Sequence, residues 1–217
     1  MKKTISALLL LALLSGCGAQ PSTTPMPNTS TNTAQNDSSN VNKDVFLEFT
    51  AKDFNGNNVD QSVFANTKLT MMNVWATFCN PCIKEMPDLG ELAAAGGTDY
   101  QIIGVCADLD GTEDMLTVAK DLVSETNANY LHLQPSEGLL PVLTATSAVP
   151  VTFFFDSEGR LVGQGIAGAH DKDRWEKELQ ARLDMVNAAA EKSDDAAQSD
   201  IDSDAEKPEE TSNATAE

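Results

Sequence analysis

Two of the four cysteines in this chain of 217 residues, Cys79 and Cys82, are separated by only two positions. An apolar run precedes them, and a helix-like pattern follows them. In the first turn of a helix, residues three positions apart share a face, so the two sulfur atoms can approach closely enough to bond. The pair could therefore close a small disulfide, bind a metal ion or exchange electrons with another molecule.

Electron exchange makes the fullest use of this spacing, because a C-x-x-C pair beside a β–α–β pattern is a redox signal. Cys79 would lie at the N-terminus of the helix, where unpaired N–H groups and the helix dipole favour a negative sulfur. A lowered thiol pKa would make Cys79 the attacking nucleophile. Cys82, one turn further in, would be less exposed and would resolve the mixed disulfide that Cys79 forms with a substrate.

The other two chemistries have weaker support. A metal site would need two more ligands, and the remaining candidates, His132, His170 and Cys106, do not form a second pair. Cys106 lies in an apolar run and is expected in the core, whereas the histidines are expected to be structural or exposed. A structural disulfide is possible in an oxidising compartment, but a four-residue loop would constrain the unfolded chain little.

The elements that position the cysteines follow from hydrophobic spacing. Residues 68–78 predict a buried strand, and residues 83–95 predict a helix that Pro87 should kink or interrupt. An Asn55-Gly56 turn between two short apolar segments predicts a β-hairpin. The whole pattern reads strand–helix–strand–helix–strand–helix–strand–strand–helix, which favours an α/β layer fold with a mixed sheet.

The N-terminal end has the pattern of a secretory signal. Residues 1–17 contain two lysines, an apolar run too short to span a bilayer, and small residues before Cys17. The ending Leu-Ser-Gly-Cys resembles the lipobox of bacterial lipoproteins, which predicts cleavage before Cys17 and a diacylglycerol on its sulfur. An ordinary signal peptide cleaved nearby is the alternative.

Two further segments lack the apolar side chains that would offset the entropy of ordering. Residues 18–43 predict a disordered polar tether, and residues 191–217 predict a disordered acidic tail. The remaining residues, 44–190, are enough for one compact domain. The net charge of −19 would repel phosphate backbones, which argues against a nucleic-acid-binding function.

Residues 73–87, NVWATFCNPCIKEMP, resemble the active-site segment of the thioredoxin superfamily, and in particular of the TlpA/ResA-like thiol-disulfide oxidoreductases. The resemblance extends roughly from Val45 to Val186. It implies a thioredoxin-like fold in which helices flank a central mixed β-sheet, with an N-terminal β-hairpin and a central insertion.

The same resemblance implies a substrate groove beside the thiols. The second match to the family is the Val149-Pro150 pair before a strand, where the family has a cis peptide bond close to the cysteines. The groove would also involve Trp75, Phe78 and Pro81. Phe78 occupies a position that is often Trp in the family, so an aromatic side chain is retained.

The buried carboxylate of the site is also expected at a family-specific position. Ordinary thioredoxins have a buried Asp where this chain has Asn73, and TlpA/ResA-like proteins instead have a Glu three residues after the second Cys. Glu85 matches that Glu. Its burial would raise its pKa and allow it to exchange protons with Cys82.

The resemblance implies a monomeric reductase, lipid-anchored through Cys17 outside the cytoplasm of a bacterium. It would reduce protein disulfides with the Cys79–Cys82 dithiol, without a bound cofactor or metal. A membrane carrier of the CcdA/DsbD type would restore the dithiol. Candidate substrates are the haem-attachment thiols of cytochromes c or another extracytoplasmic redox enzyme.

Three alternatives remain open at this point. The pair could form disulfides instead of reducing them, or the protein could be a non-catalytic binding lipoprotein with an inert disulfide. A peroxidase would need a Thr and an Arg near its reactive Cys. Thr77 precedes Cys79 by two residues, but the next arginine after the motif is Arg160.

Overall fold

The computed structural model describes residues 41–145 and 147–203, and the side chains of residues 45–145 and 147–192. These residues belong to one compact unit, Asp37–Glu217; the other unit, Met1–Asn36, lies outside the described residues. The predicted signal segment, the lipidation site Cys17 and most of the predicted tether therefore also lie outside them. In the described part of the chain, no helix has both the length and the apolar character needed to cross a membrane.

The described residues form nine strands and four α-helices, together with two 3₁₀ helices at Gln61–Asn66 and Glu137–Leu139. The strands are β1 (Val41–Phe46), β2 (Thr50–Lys52), β3 (Asn58–Asp60), β4 (Leu69–Trp75), β5 (Tyr100–Cys106), β6 (Leu131–Leu133), β7 (Val151–Asp156), β8 (Arg160–Val162) and β9 (Ile166–Ala167). The helices are α1 (Asn80–Ala95), α2 (Glu113–Glu125), α3 (Leu140–Leu143) and α4 (Lys172–Ser203).

A mixed sheet of seven strands forms the centre, in the order β1-β8-β7-β4-β5-β6, with β9 also paired to β7. Strands β4, β5 and β6 run parallel, and β7 is antiparallel to β4. Strands β2 and β3 form a separate antiparallel hairpin around the Asn55-Gly56 turn, as predicted. This architecture confirms the expected thioredoxin-like fold with its central mixed sheet.

The central position of β4 explains why all its residues are buried. Met71 packs with Leu89 of α1 and Trp175 of α4 on one face of the sheet. Met72, next along the strand, packs with Phe155 on the other face, because successive side chains point in opposite directions. The chain leaves β4 at Trp75 and turns directly into α1, which places both cysteines at the carboxyl end of a buried strand.

Three elements differ from the prediction in their extent or continuity. Helix α1 continues through Pro87 without interruption; packing of Met86 and Leu89 on either side outweighs the one hydrogen bond that proline removes. Strand β1 begins at Val41, inside the predicted tether. Helix α4 continues past Ala190 through Ser203, into the segment expected to be disordered. Ala196, Ala197 and Gln198 favour helix there, although the Asp and Ser residues around them do not. Residues 204–217 lie outside the described part.

Candidate active site

Cys79 and Cys82 form a disulfide at the start of α1, with an S–S distance of 2.03 Å and a Cα–Cα distance of 5.3 Å. Cys79 is the N-cap residue, and its sulfur accepts a hydrogen bond from the backbone N–H of Cys82 at 3.2 Å. Pro81 suits the first turn because its missing N–H would have no partner there. In the dithiol state, the helix end would favour a thiolate at Cys79, as the spacing predicted.

Access to the two sulfurs differs. Cys79 is 5% exposed, whereas Cys82 has no exposed surface. Cys79 also lines a surface groove of about 680 Å³, and the residues that line this groove are Ala76, Phe78, Cys79, Asn80, Pro81, Ala107, Asp108, Leu143, Ser147, Ala148 and Val149. A substrate in the groove would therefore meet the sulfur of Cys79 first.

The groove contains three of the five residues that were expected to form it. Phe78, whose side chain is 75% exposed, and Pro81 lie beside Cys79. The backbone oxygen of Val149 lies 3.6 Å from the sulfur of Cys79, and the Val149–Pro150 peptide bond is cis, as the resemblance implied.

Trp75 and Pro150 were also expected at the groove; both are buried, and neither is among the residues that line it. Trp75 ends the central strand β4 and packs in one buried cluster with Cys82 and Met86. Its indole ring also meets the ring of His132 edge-on at 5.6 Å. Trp75 supports the active-site turn from beneath and offers no surface to a substrate.

Glu85 lies one turn of α1 beyond Cys82 and is buried. Its Oε1 accepts a hydrogen bond from the Asn73 side chain at 3.0 Å. Its Oε2 accepts from the backbone N–H of His170 at 3.1 Å and from the indole N–H of Trp175 at 3.2 Å. Burial raises the pKa of Glu85, and these three donors offset part of that rise. The donors of these hydrogen bonds lie on β4, on α4 and in the loop before α4, and not on Cys82. Proton exchange between Glu85 and Cys82 therefore stays a proposal.

Asp108 is a site residue that the sequence analysis did not identify. Its carboxylate accepts the backbone N–H of Thr77 at 3.0 and 3.1 Å and the Thr77 hydroxyl at 2.6 Å. The thiol of Cys106 donates to the same carboxylate at 3.3 Å. Thr77 follows β4 and Asp108 follows β5, and these strands run parallel, so the residues after them meet at one edge of the sheet. The sequence pattern did not show that β4 and β5 are neighbours in the sheet, so it could not bring Asp108 close to Thr77.

Two other candidate side chains, those of Cys106 and His132, are not suited to react at the site. Burial, with the bond to Asp108, raises the pKa of Cys106, which keeps this thiol protonated. Burial lowers the pKa of His132 to about 4, so its ring is neutral, and its Nε2 lies 3.0 Å from the oxygen of Ala128. Among the described residues, no group of His, Cys, Asp and Glu side chains could hold a metal ion.

The family model described as AhpC/TSA matches residues 43–164. The thiol:disulfide interchange protein DsbE of Yersinia pestis is 30% identical over 124 residues, which cover 57% of this chain and 62% of that protein. The thiol-disulfide oxidoreductase ResA of Oceanobacillus iheyensis is 31% identical over 125 residues, which cover 54% of this chain and 61% of that protein. The match thus spans about three fifths of the length of these relatives.

Solved structures with the same fold include a secreted disulfide oxidoreductase of Mycobacterium tuberculosis, with a TM-score of 0.52 and 22% identity over 62% of this chain and 96% of that one. The exposed lipoprotein thioredoxin Etrx1 of Streptococcus pneumoniae has a TM-score of 0.51 and 24% identity, and the match covers 61% of this chain and 98% of that one. At such identities the likeness establishes the fold alone. Because the family model matches more than half of the chain, this protein belongs to the AhpC/TSA family, and its ResA and DsbE relatives confirm the expected place in the thioredoxin superfamily.

Proposed function

We propose that this protein is an extracytoplasmic thiol-disulfide oxidoreductase that reduces disulfides of other proteins. One observation carries the proposal: the sulfur of Cys79 caps the N-terminus of α1 and lines an open groove, whereas Cys82 is buried behind it. This asymmetry is what a nucleophile and a resolving thiol need. The names of the DsbE and ResA relatives support the same chemistry.

The reaction begins from the dithiol. The Cys79 thiolate attacks one sulfur of a substrate disulfide; the substrate S–S bond breaks, and its other sulfur leaves as a thiolate and takes up a proton. Cys82 then gives up its proton and attacks the sulfur of Cys79. The second substrate thiol leaves, and the Cys79–Cys82 disulfide forms, so two electrons have passed to the substrate.

Glu85 is the proposed acceptor of the Cys82 proton. It lies one turn further along α1. Because burial raises its pKa, its carboxylate binds a proton more tightly than an exposed glutamate would. The disulfide that the structure contains is the product of this cycle. A membrane dithiol carrier of the CcdA/DsbD type would reduce it again.

The location and the substrates belong to the same proposal. The lipobox-like residues before Cys17 support a lipid anchor on the outer face of the cell membrane, with a monomeric domain held on residues 18–43. The disulfide between the haem-attachment cysteines of cytochromes c, or a disulfide of another extracytoplasmic redox enzyme, is the proposed substrate. A Cys17→Ala variant should leave the membrane fraction in cells that retain the wild-type protein there.

An insulin-reduction assay tests the activity. The wild-type protein with dithiothreitol should precipitate insulin chains faster than Cys79→Ser or Cys82→Ser with the same reductant. A small aromatic disulfide should be included as a second substrate, since a specific reductase can ignore insulin. If wild type and Cys79→Ser reduce both compounds at equal rates, the proposal is wrong.

Alkylation separates an exchange site from an inert disulfide. After reduction, iodoacetamide at neutral pH should label Cys79 well before Cys82 or Cys106, because both of these are fully buried. Peptide mapping by mass spectrometry gives the three rates. The Cys82→Ala variant should then retain mixed disulfides on Cys79, and mass spectrometry of the trapped proteins would identify the substrates.

A redox titration of the pair decides the direction of electron flow. A potential close to ~−270 mV fits a reductant, and one close to ~−120 mV fits a disulfide-forming oxidant.

The peroxidase alternative gains no support from the site. Arg160 pairs with Asp156, which lies opposite Leu69 at the far end of β4 from the cysteines.

A further inference from the structure

The groove beside Cys79 carries a single charged side chain among its described lining residues, that of Asp108. Most of the other lining side chains are apolar, including Phe78, Leu143 and Val149, and the polar ones are the uncharged Asn80 and Ser147. The charge of Asp108 is therefore the one feature of this surface that can distinguish a basic segment from an acidic one.

Asp108 is held in a fixed position relative to the reactive sulfur. Both of its oxygens are bonded to Thr77, two residues before Cys79, and the Cys106 thiol donates to one of them. A carboxylate held by this many donors cannot turn away when a substrate arrives. It acts as a fixed negative charge in the lining of the groove and not as a mobile surface side chain.

The electrostatic interaction between Asp108 and a substrate becomes stronger once the substrate covers the groove. A polypeptide that covers Phe78, Pro81 and Val149 displaces water, and electrostatic interactions grow as the local dielectric constant falls. The exposed ring of Phe78 also suits the aliphatic stem or guanidinium of a basic side chain. An acidic side chain in the same place would meet a like charge that cannot move away.

The charge of the whole chain acts in the same direction. With a net charge of −19, the protein attracts basic partners at long range and repels acidic ones. Long-range attraction, however, does not place a basic residue at one site beside Cys79, whereas a fixed carboxylate in the groove does.

We propose that the groove selects polypeptide disulfides with a lysine or arginine next to the attacked cysteine, and that Asp108 is the residue that makes this selection. The inference rests on the proposed function, since it concerns the substrate of the same dithiol. The partner is a protein segment with an accessible disulfide and a basic flank.

Two peptides test the proposal, identical except for Lys or Glu beside a single cysteine that carries thionitrobenzoate as a mixed disulfide. The reduced protein, freed of excess dithiol, reacts so that the Cys79 thiolate forms a bond to the peptide sulfur. Coloured thionitrobenzoate leaves with the electron pair of the broken S–S bond. The rate ratio, Lys peptide over Glu peptide, is divided by the same ratio for free dithiothreitol, which removes the intrinsic reactivity of the peptides.

The corrected ratio should be about tenfold in the wild type and fall to about two or less in Asp108→Asn. Asp110→Asn is the matched control, because it removes the same charge from an exposed residue two positions away and outside the groove. This control should keep most of the ratio, even if its absolute rate changes.

Each outcome separates the two proposals. A wild-type ratio near one, with both peptides reacting, would overturn the selection and leave the oxidoreductase function intact. An equal fall in Asp108→Asn and Asp110→Asn would assign the preference to overall charge and would also overturn it. If neither peptide releases thionitrobenzoate faster with wild type than with Cys79→Ser, the proposed function itself fails.

Discussion

Glu85 and Asn73 meet in the buried layer between β4 and α1, where a carboxylate is costly unless donors surround it. Asn73, His170 and Trp175 supply three hydrogen bonds, and the Asn73 amide continues to the Thr152 hydroxyl at 3.1 Å. Burial nevertheless raises the pKa of Glu85. The folded protein therefore holds a proton on this residue at pH values where the unfolded chain has already lost it.

This difference predicts the pH dependence of stability in Glu85→Gln. Between the ordinary glutamate pKa and the raised folded value, the folded state binds more protons than the unfolded state, so the contribution of Glu85 to stability falls as pH rises. Glutamine does not titrate. The wild-type unfolding free energy minus that of the variant should therefore decrease with pH across this window, by at most about 1.4 kcal/mol per pH unit, and stay constant outside it.

Urea unfolding of both proteins at several pH values measures this difference. Asn73 can accommodate the glutamine by turning its amide, because its side-chain oxygen has no partner. Glu91→Gln is a useful contrast. The hydrogen bond and charge of Lys172 lower the pKa of exposed Glu91, so its trend should be weak and of opposite sign. A flat difference for Glu85→Gln would show that Glu85 is not desolvated in solution.

How far the site can be predicted from sequence depends on the separation of its residues along the chain. Cys79, Cys82 and Glu85 are neighbours on one helix, so spacing and family resemblance were sufficient to predict that they lie close together. Thr77 and Asp108 are 31 positions apart, and Glu85 and Trp175 are 90 apart. Such pairs meet only because of the strand order and the docking of α4, which hydrophobic periodicity alone does not specify.

At the scale of elements, the predicted fold was most accurate where burial is strongest. Strands β4 and β5 are nearly continuous apolar runs because layers cover both faces of the sheet. The hairpin of β2 and β3 was marked by its turn, where Gly56 has a φ of 85°. Strand β1 was missed. It is an edge strand with a mixed polar sequence, VNKDVF, and its pairing with β8 leaves no periodic pattern to find.

Helix α1 lies close to the turn after α2, and Gly90 is the contact point. A Cβ atom at position 90 would lie 2.4 Å from the backbone oxygen of Asn127. Helix propensity alone predicts that Gly90→Ala stabilises the protein by about 1 kcal/mol. The contact predicts the opposite sign, because helix or turn must shift, at a cost of about 1–3 kcal/mol. We expect a net destabilisation, measured as the unfolding free energy in urea.

Ala94→Gly provides the calibration for this experiment. Ala94 is exposed on the same helix, so its change should report helix propensity alone and cost about 1 kcal/mol. A Gly90→Ala variant more stable than the wild type, by an amount close to the Ala94→Gly loss, would show that Asn127 does not restrict α1.

At the scale of the whole molecule, packing and charge are distributed unequally along α4. Among the side chains of this helix that the structure describes, those of Trp175, Leu179 and Leu183 are buried, and they pack against β4 and α1 in one cluster. The residues beyond Ala190 instead carry charge: residues 191–217 contain ten acidic and two basic residues. The first part of the helix stabilises the domain, and the second part adds to the negative field around it.

This division predicts that removal of residues 191–217 changes the unfolding free energy by less than about 0.5 kcal/mol, since no residue of the buried cluster is lost. A truncation after Glu178, which also removes Leu179 and Leu183, should abolish cooperative unfolding. The shorter deletion should slow the reaction with a Lys-containing peptide at low salt and much less at high salt, because it removes only screened, long-range attraction. The ratio of Lys to Glu peptide should fall only slightly, as Asp108 remains. A large loss of stability on removing residues 191–217 would show that the acidic segment packs on the domain.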